Sequence, residues 1–317
     1  MQFSVYQESQ IGGRKVNQDR MGYSFTRDAL LLVLADGMGG HPHGEVAAQL
    51  TMQTLSQRFQ QQAKPRVKNP EAFLEESLLA AHHEIHRHRL ANGLDEAPRT
   101  TVVACLIQHN SATWAHCGDS RLYWMRDGQI LARTRDHSHV ENLIAKGLVP
   151  ASARATHPDR NKLYNCLGAS SMPRIDMSRR ASLLPGDLML LCSDGLWAVL
   201  PDEEMAERLQ RQTIVRAVPE LLARALAIAG PHSDNVTALA IMWQGAPVDA
   251  ANSVSSTDMD TVISTEALPE DLVSSTMDGV PASPGAAAEL DAFDDEAIEK
   301  AIAEIRGAIE KSSQVLK

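Results

Sequence analysis

No stretch of the 317-residue chain approaches the ~20 consecutive apolar residues that a bilayer-crossing helix requires. Residues Met1 to Gln10 carry neither the basic start nor the apolar run of a secretory signal. The expectation is a cytoplasmic protein with no membrane insertion. Cysteine is scarce and scattered: Cys105, Cys117, Cys166 and Cys192 form no close pair suited to zinc or thiol redox chemistry. None is followed by an arginine at the spacing of a thiol phosphatase loop, and all four are expected to be buried thiols. A basic stripe is missing too. With a formal net charge of -10, nothing is present to neutralise a nucleic-acid backbone. Phosphate-loop and dinucleotide glycine fingerprints are absent. Lysine and arginine vanish between Arg224 and Lys300 while acidic residues accumulate, which marks a change in the kind of chain.

What is there is a soluble composition, 44% hydrophobic, in which short apolar runs alternate with amphipathic stretches up to about Trp243. The runs Leu30 to Ala35, Val102 to Ile107, Leu188 to Cys192 and Val236 to Met242 read as buried strands of a sheet. Gly44 to Gln62 and Pro70 to about Leu90 read as helices; in the second, Phe73, Leu74, Leu78, Ala81 and Ile85 recur at helical spacing after a proline start. Residues 1–243 are therefore expected to form one catalytic-size domain. Residues 244–290, rich in Ser, Thr, Ala, Pro and acids, are expected to be a flexible, disordered linker because they cannot bury enough apolar surface to offset chain entropy. Residues 291–317 read as a terminal amphipathic helix, with Ile298, Ile302, Ile305 and Ile309 as a stripe for a self-contact or a partner.

The chemistry lies in a recurring arrangement. Asp36-Gly37-Met38-Gly39-Gly40 directly follows the apolar strand ending at Ala35, so a carboxylate emerges at a strand end beside permissive backbone. Alone, this would be an acidic glycine turn. The pattern repeats at Ser193-Asp194-Gly195, at Gly118-Asp119-Ser120-Arg121, and at Asp234-Asn235 just before a strand. Carboxylates brought together without cations repel, and hard oxygen donors converging in this way suit Mg2+ or Mn2+ better than zinc. Two such ions can activate a water for in-line displacement at phosphorus.

Taken in order, Arg14-x-x-Asn17-Gln18-Asp19, the Asp36-Gly-Met-Gly-Gly turn, Gly118-Asp119-Ser120-Arg121, Ser193-Asp194-Gly195 and Asp234-Asn235 resemble the metal-dependent protein phosphatases, type 2C, bacterial group. The resemblance spans about Phe3 to Trp243. It implies an α+β fold, a four-layer α-β-β-α sandwich of two antiparallel sheets flanked by helices, and hydrolysis of phosphoserine and phosphothreonine in phosphoproteins by a water activated between two metal ions. It further implies that Asp36 bridges both ions, the Gly37 carbonyl binds one, and Asp194 and Asp234 bind the other. Asp119 would serve a weaker third site, Asp19 would assist, Arg14 would grip the phosphate, and a Ser/Thr kinase would be the opposing partner.

Two positions depart from the better-known family pattern. Gln18 stands where many members carry a metal-ordering glutamate, and Met38 where eukaryotic members carry a proton-donating histidine. His41 is the candidate donor by proximity, with water as the alternative. These two departures also support a rival reading, a phosphoprotein-binding module that does not turn over; hydrolysis of small phosphate esters is a further rival. Asp136 to Arg174, containing Asp136-His137-Ser138, resembles a flap beside the cleft. His82, His83, His86 and His88 cluster on the second helix, where the zincin pattern fails because Arg87 takes the second histidine position and an exposed polar face explains the cluster better than metal binding. Thr257, followed at the third position by Asp260, is a candidate phosphorylation site for docking.

Overall fold

The structure, a computed structural model, describes residues 1–39, 43–154, 156–245 and 262–277. In chain order it runs β1 (Gln2–Gln10), β2 (Asp19–Phe25), β3 (Ala29–Asp36), α1 (Gly44–Gln62), α2 (Pro70–Ala91), β4 (Val102–Gln108), β5 (Ser111–Cys117), β6 (Arg121–Arg126) and β7 (Gln129–Arg133). It continues with α3 (His139–Ala145), β8 (Asp176–Met177), β9 (Ala181–Ser182), β10 (Leu188–Cys192), α4 (Asp194–Trp197), α5 (Asp202–Arg211), α6 (Ile214–Ala229), β11 (Val236–Gly245), β12 (Val262–Ser264) and β13 (Ser274–Ser275). One sheet has the order β12-β1-β11-β10-β6-β7, the other β13-β2-β3-β4-β5-β8 with β9 also on β5, and the pairings are antiparallel.

Three apolar layers explain the stacking. Leu30, Leu32 and Leu34 of β3 meet Val103, Cys105 and Ile107 of β4 and Met189, Leu191, Leu239 and Ile241 of the opposite sheet. The alternate residues Ala29, Leu31, Val33 and Ala35 face outward, against Ala48, Met52, Leu55 and Phe59 of α1 and Leu74 and Leu78 of α2. On the far side, Leu190, Cys192, Ala238 and Ala240 pack against Leu209, Ala217, Leu221 and Ala225 of α5 and α6. Strands covered on both faces read as unbroken apolar runs, and each buried Leu contributes about 1.5–3 kcal/mol. This is the expected α-β-β-α sandwich.

The boundary expected at 243 does not end the compact unit, which also takes in residues 262–277. Residues 262–277, expected to belong to a flexible linker, instead supply two edge strands. β12 pairs with β1, β13 pairs with β2, and Met277 is buried with the α1 and α2 core. Composition misleads here because edge strands this short are held by backbone pairing and one anchor side chain. Gly22 makes room for that anchor, since a Cβ there would lie 2.6 Å from Met277 Cγ. The rest of the expected linker, Thr257 and Asp260 within it, and the isoleucine stripe at Ile298 to Ile309 lie outside the described residues. Among the described residues no helix is long and apolar enough to cross a membrane.

Candidate active site

Antiparallel pairing carries the separated aspartates to one end of the sandwich. Asp19, first in β2, is the register partner of Asp36, last in β3. Asp119 sits in the turn between β5 and β6, Asp194 opens α4 directly after β10, and Asp234 precedes β11. Asp36, Gly37, Asp119, Asp194, Asp234 and Arg14 line one cleft of about 460 Å³, together with Gln18, Met38, Gly39, Thr101, Asn161 and Leu163. Asp19 lies beneath, buried, with Oδ2 accepting from Ser193 Oγ at 2.8 Å and Oδ1 without a hydrogen-bond partner.

The Asp36 turn is fixed from three sides. Thr101 N and Thr100 Oγ1 both donate to the Asp36 carbonyl at 2.8 Å, and Gly37 N donates to Gln18 O. Gly37 must be glycine because a Cβ would lie 2.4 Å from the Gly44 backbone, where α1 begins. Gln18, in place of an acid, donates from Nε2 to Glu45 Oε2 at 3.0 Å. A carboxylate is thus present next to the Gln18 position, borne by the first turn of α1. Sequence reading missed Glu45, because only the tertiary fold brings residues 18 and 45 together.

Four carboxylates line the cleft with one arginine, above the buried Asp19. Desolvation first, then Asp19 and Asp194, pushes Asp36 well above the usual carboxylate range. Desolvation and then Asp119 does the same to Asp194. Asp119 is pushed up to about 7 by desolvation and then by Asp136. Burial also raises Asp19. Arg14, the one arginine lining the cleft, does not stand free: Nε and Nη2 fork onto Asp234 Oδ1 and Oδ2 at 2.8 and 2.7 Å. The two residues, expected to act separately, are therefore joined. Asp234 Oδ1 also accepts from Asn235 N at 2.9 Å, while Oδ2 keeps a second lone pair, and Nη1 of Arg14 lies on the Gly39 side.

These observations test the fit of a metal. A buried acceptor without a donor at Asp19, mutual repulsion among Asp36, Asp119 and Asp194, and a donor set made of oxygens all suit hard divalent cations. No histidine or cysteine is among the described residues lining the cleft. The residues fit.

The flap motif is bonded into the base of the site. Asp136 holds Arg121 through two bonds of 2.8 and 2.7 Å, with both side chains buried, and Ser138 caps α3 by accepting from Glu141 N. His137 clamps Gly118 twice: its backbone N donates to the Gly118 carbonyl at 2.9 Å, and its Nδ1 accepts from Gly118 N at 3.2 Å. One atom each from His116, His137 and Asp176 lie within 4.8 Å of one another. With Nδ1 accepting, the neutral ring carries its proton on Nε2, which lies 3.2 Å from Asp176 Oδ2 without an aligned hydrogen bond, so His137 supports the Gly118-Asp119 turn through its backbone N and Nδ1. Burial, then His116, lowers His137 to about 4, keeping that acceptor available at neutral pH.

Two expectations end elsewhere. His82 is buried rather than on an exposed face; its Nδ1 accepts from Gly168 N and His86 Nε2 donates to Ala169 O, so these histidines seat the end of the flap region on α2. His41 lies outside the described residues.

A profile of the family described as protein phosphatase 2C matches residues 7–228. Serine/threonine protein phosphatase PstP of Mycobacterium tuberculosis is 34% identical over 210 residues, 66% of this chain and 39% of that protein. The chain thus matches about two-fifths of that relative's length. Serine/threonine phosphatase stp of Listeria innocua is 29% identical over 231 residues, 72% of this chain and 90% of that protein. The crystal structure of the catalytic domain of PstP in complex with two manganese ions superposes with a TM-score of 0.65 at 31% identity, covering 76% of this chain and 98% of that one.

Proposed function

The chain belongs to the protein phosphatase 2C family, and from that membership we propose that it hydrolyses phosphoserine and phosphothreonine in phosphoproteins, using Mn2+ or Mg2+, in opposition to a Ser/Thr kinase in the cytoplasm. The observation that supports this reading is the convergence of Asp19, Asp36, Asp119, Asp194 and Asp234 on one cleft. Two divalent ions bound there would acidify a water and offset charge on the phosphoryl oxygens, with a third, weaker site at Asp119.

Asp36 and the Gly37 carbonyl would hold one ion, and Asp36, Asp194 and Asp234 the other. Asp19 and Ser193 orient these ligands from below. Arg14 is the one cation lining the cleft, and its unforked edge supplies hydrogen bonds to the equatorial phosphate oxygens. Displacement is direct, because the position two residues after Asp36, where a phosphoaspartate enzyme usually carries its acid, is Met38. His41 is assigned to protonate the leaving alkoxide. On that assignment His41→Ala slows phosphothreonine-peptide hydrolysis by about 10²-fold while p-nitrophenyl phosphate, whose leaving group needs no proton, is nearly unaffected. Equal loss on both substrates would remove His41 from this role.

The primary test is phosphothreonine-peptide hydrolysis with manganese, magnesium or chelator, beside an Asp36→Asn/Asp194→Asn variant. Metal-dependent turnover lost in the variant is expected. Folded, metal-loaded protein that binds phosphopeptides without turnover would instead support the binding-module reading.

A further inference from the structure

A cavity of about 610 Å³ lies away from the aspartates and has the opposite charge. Lys64, Arg66, Lys68, His109 and Arg180 line it, with the N-terminus of the 22-residue helix α2 at Pro70. Lys64, Arg66 and Lys68 form no ion pair with a carboxylate among the described residues. Glu71 reaches this group, 3.0 Å from Arg180. In a chain of net charge -10, these exposed cations form a local positive patch that attracts anionic groups.

The site is built rather than loose. The loop carrying the three cations is pinned to the β4–β5 hairpin by Gln108, whose Oε1 accepts from Val67 N at 3.2 Å and whose Nε2 donates to Val67 O at 3.0 Å. Thr26 Oγ1 donates to the Pro65 carbonyl, and Val67 is buried beneath. Arg66 is held against His109. Ser111, also on the wall, has a buried Oγ without a partner.

We propose that this cavity is a docking site for an acidic polypeptide segment, a run of Asp and Glu in a protein partner. The lining carries no Phe, Tyr or Trp, and its one ring, His109, is held by Arg66, which disfavours a nucleobase-stacking platform. Mobile ammonium and guanidinium groups suit carboxylates presented along an extended chain. The cavity sits at the opposite end of β4 from Thr101 in the catalytic cleft, so seven residues of strand, roughly 20 Å, separate the two. The role in substrate capture rests on the phosphatase reading; the binding itself does not.

Binding is measured by fluorescence anisotropy of a labelled Asp/Glu-run peptide on the full chain carrying Asp36→Asn, with and without Lys64→Ala/Arg66→Ala/Lys68→Ala. The triple variant should bind at least about tenfold more weakly, at unchanged thermal stability. In the active protein, a phosphothreonine peptide joined to the acidic run by a flexible linker of about 13–15 residues should show a KM several-fold below that of the short peptide. The triple substitution should erase this advantage and leave short-peptide turnover as it was. Equal binding by both proteins overturns the inference, as does a single-stranded oligonucleotide of equal charge that binds more tightly and responds to the same substitutions. Loss of hydrolysis alone would sink the phosphatase reading and leave the anisotropy result standing.

Discussion

Arg14 shows how much one side chain can be asked to do. Its planar fork matches the Asp234 carboxylate at 2.8 and 2.7 Å while a third nitrogen stays on the cleft side. An ammonium cannot reproduce two parallel bonds and a lateral donor. Arg14→Lys is therefore expected to behave much as Arg14→Ala, each losing about 10–100-fold in kcat/KM on a phosphopeptide. Near-complete rescue by lysine would mean that charge alone matters. The strand-end aspartates were legible from sequence because each follows or precedes an apolar run and stands beside Gly or Asn. Glu45 was not, because it sits in the polar first turn of a helix and gains its meaning only from Gln18 Nε2. His82 was misread for a related reason: helical spacing does not reveal that Gly168 N–H approaches from residues distant in sequence.

Among the elements, β3, β4, β10 and β11 were readable because burial on both faces writes an unbroken apolar run, and α1 and α2 because one face carries Leu and Phe at helical spacing. The pair β12 and β13 was not, since Ser274 and Ser275 contribute backbone and hydroxyls where apolar side chains would signal a strand. That strap depends on Met277, 3% exposed and packed over Gly22. Met277→Ala removes most of its apolar anchor and should cost about 2 kcal/mol in urea unfolding, by lost burial plus a cavity. Gly22→Val should expel the same side chain and cost a similar amount. If either variant unfolds like the parent, the strap adds nothing to the fold. Helix α2 carries its own pH dependence through His82, whose pKa burial lowers from 6.5 to about 4. The unfolded chain takes up this proton as pH falls below about 6.5 and the folded chain does not, so stability is lost progressively down to about pH 4. Urea midpoints between pH 7 and 5 should fall less steeply in His82→Gln than in the parent; parallel slopes would assign the acid sensitivity elsewhere.

On the scale of the whole molecule, two sheets closing on one another deliver five carboxylates and one arginine to a single end, within a chain already at net charge -10. Such a site opposes folding unless cations occupy it, because desolvation and mutual repulsion raise Asp36 and Asp194 well above the usual range. A group whose folded pKa is raised costs stability once pH passes its unfolded value, and the cost grows as pH rises toward the folded value. Asp36→Asn removes the charge and keeps the shape. Metal-stripped Asp36→Asn protein should therefore have a higher Tm than the metal-stripped parent, although it is expected to be inactive, which is the trade between stability and activity common at catalytic sites. Added Mn2+ should raise the parent's Tm in a concentration-dependent way and raise the variant's much less. A scan with chelator and then with manganese, on both proteins at pH 7, separates the two effects. If Asp36→Asn lowers the metal-free Tm, the carboxylate contributes hydrogen bonds that outweigh its repulsion, and the cation's role would be confined to chemistry.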